Sequence, residues 1–336
     1  MIREFEHIDL RDRNSFHVAQ TAARLVEFET PDELRELFSA GAPRQWYVLG
    51  GGNNILFTRD YEGVLFCPVG EGITTLGEQG GTVRLRVEAG VEWDALVAWS
   101  VERGLWGLEN LSLIPGKAGA ASVQNIGAYG CEVKDALESV EMFCVETGNM
   151  LVMDAAHCGF GYRESLFKHA LRGKVIITAI TLRLSRTPRP RLEYGDLQRE
   201  VEALGGPTLE HIREAVCTIR RSKLPDPAVT GNAGSFFKNP VVEKPVAERL
   251  RESYPDMPLY PAADPTKVKL AAGWLIDRTG LKGYHEGRVG VHDRQALVLV
   301  NLGGATGGEV LAFARKVQAK VHEKFGVAID TEVNIL

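Results

Sequence analysis

The chain has 336 residues, 44% of them apolar and 25% charged, with a formal net charge of −5. That length exceeds one ordinary core and predicts two or three domains, and an acidic balance without a basic block argues against a nucleic-acid surface. No apolar run approaches the roughly 20 residues of a membrane helix, and the N-terminal stretch MIREFEHIDLRDR lacks the apolar core of a signal peptide, so the protein is expected in the cytoplasm.

The first half reads as short strands broken by glycine. QWYVLG (45–50), GVLFCPV (63–69) and TVRLRVEAG (82–90) are β-branched or aromatic runs that end in turns. EWDALVAWSVERG (92–104) is predicted helical, with Leu96, Trp99 and Val101 on or near one face and Gly104 just past its end. LESVEMFCVETG (137–148) and KVIITAITLRLS (174–185) return to strand. This is an α+β half rich in strands, without the regular β-α-β alternation of a dinucleotide-binding fold.

PRPRLEYGDL (188–197) reads as a linker or mobile loop. EHIREAVCTIRRSKL (210–224) is predicted helical and stops at Pro225. VKLAAGWLIDRTG (268–280) is predicted helical and RQALVLVNLGG (294–304) a strand. GEVLAFARKVQAKVHEKFG (308–326) is a long amphipathic helix whose buried stripe is Val310, Ala314, Val317, Val321 and Phe325. AIDTEVNIL closes the chain as a short strand, and no internal repeat is visible.

The cysteines are Cys67, Cys131, Cys144, Cys158 and Cys217, without C-x-x-C spacing, and no histidine pair has the H-E-x-x-H pattern. Neither a disulfide framework nor a metal site is expected. His157, beside Cys158, reads as structural.

Three stretches carry chemistry. VLGGGNNIL (48–56) runs a strand into three glycines. It is neither G-x-G-x-x-G nor a P-loop; it is either a tight turn or a backbone cradle for an anion. LIPGKAGAASVQNIGAYG (113–130) sets Gly116, Gly119, Gly127 and Gly130 among small residues, with Pro115 and Asn125 as fixed points. It is too apolar for a solvated linker and suits backbone lying against a planar ligand. Together the two favour a phosphate-bearing planar cofactor. In GNAGSFFKNP (231–240), Ser235 sits between small residues and two phenylalanines. It is either an ordinary turn serine or a proton donor set in an apolar wall.

VLGGGNNIL, SLIPGKAGAASVQNIGAYG, FGYRESLFK, RRSKLPDP, GNAGSFFKNP, KLAAGWLID and the terminal TEV, in that order, resemble the UDP-N-acetylenolpyruvoylglucosamine reductases over nearly the whole chain. EYGDL and the long region after Pro225 resemble the longer, first type of that family, which has a substrate-capping tyrosine loop. The resemblance implies a two-subdomain FAD-binding fold of the vanillyl-alcohol oxidase type plus a C-terminal α+β substrate domain. The expected divisions are 1–70, then 71–218 joined by the terminal strand 327–336, then 219–326. FAD would be held non-covalently, since neither glycine stretch contains histidine. Gly50, Gly51, Gly52, Asn53 and Asn54 would hold its pyrophosphate; Ile114, Pro115, Gly116, Asn125, Gly127, Ala128 and Gly130 would line the flavin.

The reaction so implied completes UDP-N-acetylmuramate for bacterial cell walls. NADPH reduces FAD, flavin N5 gives hydride to C3 of the enolpyruvyl ether, and a proton reaches C2. Ser235 matches the proton donor, Arg163 the cation that stabilises the enolate, and Glu332 the glutamate set against the substrate carboxylate. Tyr162, Tyr194, Lys223, Asn239, Tyr260 and Gln295 match substrate-holding positions. The family often has arginine where this chain has Asn334, which puts a local contact in doubt. The competing readings are an FAD-linked alcohol oxidase of the same fold, against which the missing histidine tether counts, and a non-catalytic sugar-nucleotide binder, which would have lost Ser235, Arg163 or Glu332 first. No coiled-coil pattern appears, and a monomer is expected.

Overall fold

The computed structural model describes residues 1–336. The chain forms two compact units. One comprises Met1–Ile8, Ala22–Gly51 and Glu62–Ser222; the other comprises Asp9–Thr21, Gly52–Tyr61 and Lys223–Leu336.

In the first unit, a four-stranded sheet runs in the order Arg3–Asp9, Thr21–Phe28, Tyr61–Pro68 and Trp46–Val48, the last two strands parallel. A five-stranded antiparallel sheet runs Met150–Asp154, Leu137–Cys144, Val175–Ser185, Thr82–Glu88 and Ile73–Gln79. Strict alternation in TVRLRVE turns Val83, Leu85 and Val87 into one core while Arg84 and Arg86 pair with Glu138 and Glu141 outside it. The helix Trp93–Glu102 buries Trp93, Leu96 and Val97 in the same core and Val101 in a second cluster with Trp106 and Val216. Trp99, three residues on from Leu96, packs partly buried at the edge of that core as expected, and Arg103 stacks over its ring at 4.1 Å. Gly104 ends the helix at φ 66° as expected.

The stretch 113–130 is not all loop. AGAASVQ forms a helix, Ala118–Gln124, because alanine-rich sequence favours one, and Asn125 ends it in the left-handed region. Segment 188–196 carries no regular element, and the helix Leu197–Ala203 that follows was not legible as one.

The second unit is built around the helix Gly307–Phe325, whose capping box pairs Thr306 with Glu309. It buries Val310, Phe313, Ala314, Val317, Val321 and Phe325. VKLAAGWLIDRTG divides into the strand Lys267–Leu270 and the helix Ala272–Arg278. The alternating KVKL is held as strand by pairing on both sides, with Val241–Glu243 and with Leu259–Pro261. The 294–304 strand shrinks to Leu299–Asn301. The terminal strand, expected beside the 71–218 strands, is only Asn334–Ile335 and pairs in parallel with Ile55–Leu56, extended by Thr58 N donating to Leu336 O at 2.7 Å. No helix is long and apolar enough to cross a membrane, and all five cysteines are free thiols.

Candidate active site

In the first unit, the two glycine-rich stretches meet. A Cβ on Gly50 would lie 3.2 Å from the Cβ of Ala120 and 3.8 Å from that of Lys117, so a side chain there would crowd Ala120. Gly51 follows, half-buried. The rest of that loop belongs to the second unit. A Cβ on Gly52 would stand 2.1 Å from the Arg13 carbonyl oxygen, and Ser15 donates its amide to the Gly52 carbonyl at 3.1 Å. Asn53 is half-buried. Asn54 donates from Nδ2 to Glu332 O at 3.3 Å, and its own carbonyl accepts from Asn334 N at 3.1 Å and Asn334 Nδ2 at 3.0 Å. The residue that departs from the family pattern thus ties the first glycine loop to the Glu332 segment.

The second stretch is held taut. Four of the six non-glycine residues with positive φ sit in or beside it: Leu113, Asn125, Tyr129 and Arg163. Such backbone costs about 1–2 kcal/mol per residue and persists only where surroundings impose it. Ile114 is half-buried and Pro115 exposed, with Gly116 at φ 124° after them. Asn125 is fully buried; its Nδ2 donates to Gly161 O at 2.8 Å and to Glu132 Oε2 at 3.0 Å. Gly127 and Ala128 form a two-residue strand against Cys131–Glu132, and Gly130 is exposed at the turn.

Arg163 stands in a tight turn closed by Gly161 and Glu164. Lys168 Nζ donates to its carbonyl at 2.9 Å. Its guanidinium donates to Gly127 O at 2.7 Å and Asn125 O at 3.4 Å, which fixes the cation against the second glycine stretch. The Tyr162 ring lies 5.4 Å from the Arg163 guanidinium carbon. Tyr194 is half exposed and meets Tyr129 edge-on at 6.1 Å. Burial pushes the Tyr129 hydroxyl pKa up.

Ser235 and Glu332 belong to the second unit, where the backbone brings them close. Ser235 bridges Val298, Phe237 bridges Thr331, and Glu332 N donates to Phe236 O at 2.8 Å. Gly234, at φ 67°, turns the chain into this segment with its amide bonded to Asn232 Oδ1 at 2.9 Å. Phe236 and Phe237 are fully buried and pack edge-on at 5.2 Å. They anchor the segment that carries Ser235 in the core.

Asn239 accepts the Ala272 amide at 2.9 Å and so satisfies an open donor at the start of the Ala272–Arg278 helix. Gln295 reaches the same turn: a Cβ on Gly273 would lie 3.3 Å from its Oε1. Tyr260 pairs across its strand with Lys269 and is partly exposed. Lys223 is exposed at the end of the helix Leu209–Lys223.

Sequence reasoning missed the groups behind these residues. Arg213 and Arg220 flank the buried stripe of Leu209–Lys223, two turns apart, and an arginine pair at that spacing was the available signal. Arg220 Nε donates to Leu113 O at 3.2 Å, and burial draws its pKa down. Asn110, buried, donates to both Tyr129 O and Arg191 O while its Oδ1 has no partner within the chain. The residues present fit FAD: Gly50 brings bare backbone close to Ala120, and Gly116 and Gly130 present the second stretch as backbone.

Two family models match separate parts of the chain. Residues 226–336 match the family model of the UDP-N-acetylenolpyruvoylglucosamine reductase C-terminal domain, and residues 22–154 match that of an FAD binding domain. A UDP-N-acetylenolpyruvoylglucosamine reductase from Chromobacterium violaceum is 51% identical over 336 residues, 98% of each chain. One from Pseudomonas aeruginosa is 46% identical over 334 residues, again 98% of each. The crystal structure of the Thermus caldophilus reductase superposes with a TM-score of 0.70 at 26% identity, covering 100% of this chain and 98% of that one.

Proposed function

The chain belongs to the UDP-N-acetylenolpyruvoylglucosamine reductase family, and from that membership we propose that it reduces UDP-N-acetylglucosamine enolpyruvate to UDP-N-acetylmuramate with NADPH as electron donor. It is an FAD-containing oxidoreductase of peptidoglycan precursor synthesis. When bound, FAD supplies the hydride relay between NADPH and the enolpyruvyl carbon C3. The observation that carries the reading is the contact of the two glycine-rich stretches at Gly50 and Ala120, with the Arg163 cation bonded to the second.

Gly50, Gly51, Gly52, Asn53 and Asn54 offer backbone and amide groups to the pyrophosphate. Ile114, Pro115, Gly116, Asn125, Gly127, Ala128 and Gly130 line the flavin ring. Hydride addition at C3 pushes charge through C2 into the substrate carboxylate. Arg163 stabilises that charge, and its bonds to Asn125 O and Gly127 O orient the guanidinium beforehand, so little reorganisation is needed at the transition state. Ser235 Oγ gives its proton to C2, and the buried Phe236 and Phe237 beside it exclude water from that transfer. Glu332, whose amide bonds the carbonyl of Phe236 beside Ser235, hydrogen-bonds the developing enol.

Tyr194, Tyr260 and Lys223 hold the diphosphate, while Tyr162, Asn239 and Gln295 orient the sugar and enolpyruvyl end. Substrate and NADPH use one pocket in turn. The protein acts as a cytoplasmic monomer. An anaerobic titration tests the proposal: NADPH should bleach the flavin band, and UDP-N-acetylglucosamine enolpyruvate should restore it without oxygen. Recovery only on admitting oxygen would favour the oxidase and sink the reductase reading.

A further inference from the structure

The opening of the second glycine stretch is gripped at four backbone atoms. Trp93 Nε1 donates to Leu111 O at 3.1 Å, and Trp93 N donates to Gly116 O at 2.8 Å. Between them, Leu113 N donates to Asp94 Oδ1 at 2.5 Å and Leu113 O accepts from Arg220 Nε at 3.2 Å. Leu113 has φ 59°, a conformation its own side chain opposes. Ile114 and Pro115 lie just beyond the gripped residue.

Asp94 does not hold Leu113 alone. Arg213 Nη1 and Nη2 donate to its two carboxylate oxygens at 2.7 and 3.0 Å, in a bidentate fork that fixes the plane of the carboxylate. Both side chains are largely screened from water, at 22% and 31% exposure, so the pair keeps more of its strength than a surface bridge. Asp94 also sits in the first turn of the Trp93–Glu102 helix, where a carboxylate is favoured.

We propose that the Asp94–Arg213 pair is a positioning device for the cofactor loop: it imposes the left-handed Leu113 and thereby sets Ile114, Pro115 and Gly116 in the conformation that binds FAD. This inference rests on the reading of those three residues as flavin-lining. A bridge that merely joined two helices would need neither the Leu113 amide nor a strained residue. The two residues touch no ligand themselves; they act through Leu113.

The test measures FAD dissociation from the holoprotein by the recovery of free-flavin fluorescence. Asp94→Ala and, independently, Arg213→Met should weaken FAD binding on the order of tenfold, the equilibrium factor of a residue released from left-handed strain. Leu113→Gly should restore most of that loss in either background, because glycine takes φ near 60° without being forced. A purely structural pair would lower the melting temperature and gain nothing from the glycine. FAD held equally tightly by wild type, Asp94→Ala and Arg213→Met would overturn the inference alone, as would a loss that Leu113→Gly leaves untouched. A wild-type protein that binds no FAD would overturn the cofactor reading and this inference with it.

Discussion

Replacing Ser235 by alanine should separate the two halves of the reaction. The Ser235 hydroxyl makes no hydrogen bond within the chain, and its backbone bridge to Val298 survives the change. The neighbouring Phe236 and Phe237 carry the local packing. Folding should therefore shift by no more than about 0.5 kcal/mol. A positioned proton donor contributes roughly a hundred- to ten-thousand-fold, which is about 3–5 kcal/mol on the barrier. Anaerobic stopped-flow absorbance resolves the two steps. Bleaching of the flavin band by NADPH should keep its wild-type rate, while recovery on adding substrate should slow by that factor. Equal slowing of both steps would refute the proton-donor role, and a large fall in melting temperature would refute the claim that the hydroxyl supports no structure.

Asn334→Ala removes the Nδ2 bond to Asn54 O and leaves the backbone bond. The loss of about 1 kcal/mol should loosen FAD about fivefold, and an unchanged FAD release rate would sink the link between the first glycine loop and the Glu332 segment. Gly52→Ala combines positive φ with a Cβ 2.1 Å from Arg13 O. It should cost about 2–5 kcal/mol, whereas Gly148→Ala, at the same φ in open space, should cost only the conformational part; calorimetric melting of the two side by side decides it. Burial raises the pKa of Glu109 against the backbone amides that lower it. The folded protein thus keeps that proton to higher pH than the unfolded chain, so the contribution is full below the ordinary glutamate pKa and lost as pH rises through the raised one. Glu109→Gln should remove that decline from urea midpoints measured between about pH 4 and 7; parallel curves for the two proteins would count against a raised Glu109.

The sequence made legible what depends on local pattern. The β-branched run of TVRLRVE is a strand as expected, and the helical stripe of Gly307–Phe325 was read correctly at Val310, Ala314, Val317, Val321 and Phe325. Pattern failed where pairing partners decide. KVKL became a strand because two neighbours flank it, and the terminal strand went to Ile55–Leu56 because Thr58 and Leu336 close the register. At the site, glycine-rich spacing pointed to both loops, since bare backbone has few other uses in an apolar setting. Asp94 and Asn110 gave no such signal. Each acts through a backbone atom distant in sequence, and no local motif encodes such a partner.

Strain explains why the second stretch needs so many unseen supports. Leu113, Asn125, Tyr129 and Arg163 all have left-handed backbone, and each costs on the order of 1–2 kcal/mol. Every one of them is tied at a backbone or side-chain atom: Leu113 by Asp94 and Arg220, Asn125 by Glu132 and Gly161, Tyr129 by Asn110, Arg163 by Lys168. A neutral hydrogen bond returns about 1 kcal/mol and a charged one somewhat more, so the ties offset the strain without leaving a large surplus. A loop in that balance holds a shape it would not choose alone. It presents carbonyls and amides in fixed directions while remaining sensitive to the loss of one tie. The cation of Arg163 inherits this arrangement, because the oxygens that orient it belong to Asn125 and Gly127. Its direction is therefore set by the same backbone that lines the proposed flavin site, which couples cofactor position to enolate stabilisation through a shared frame.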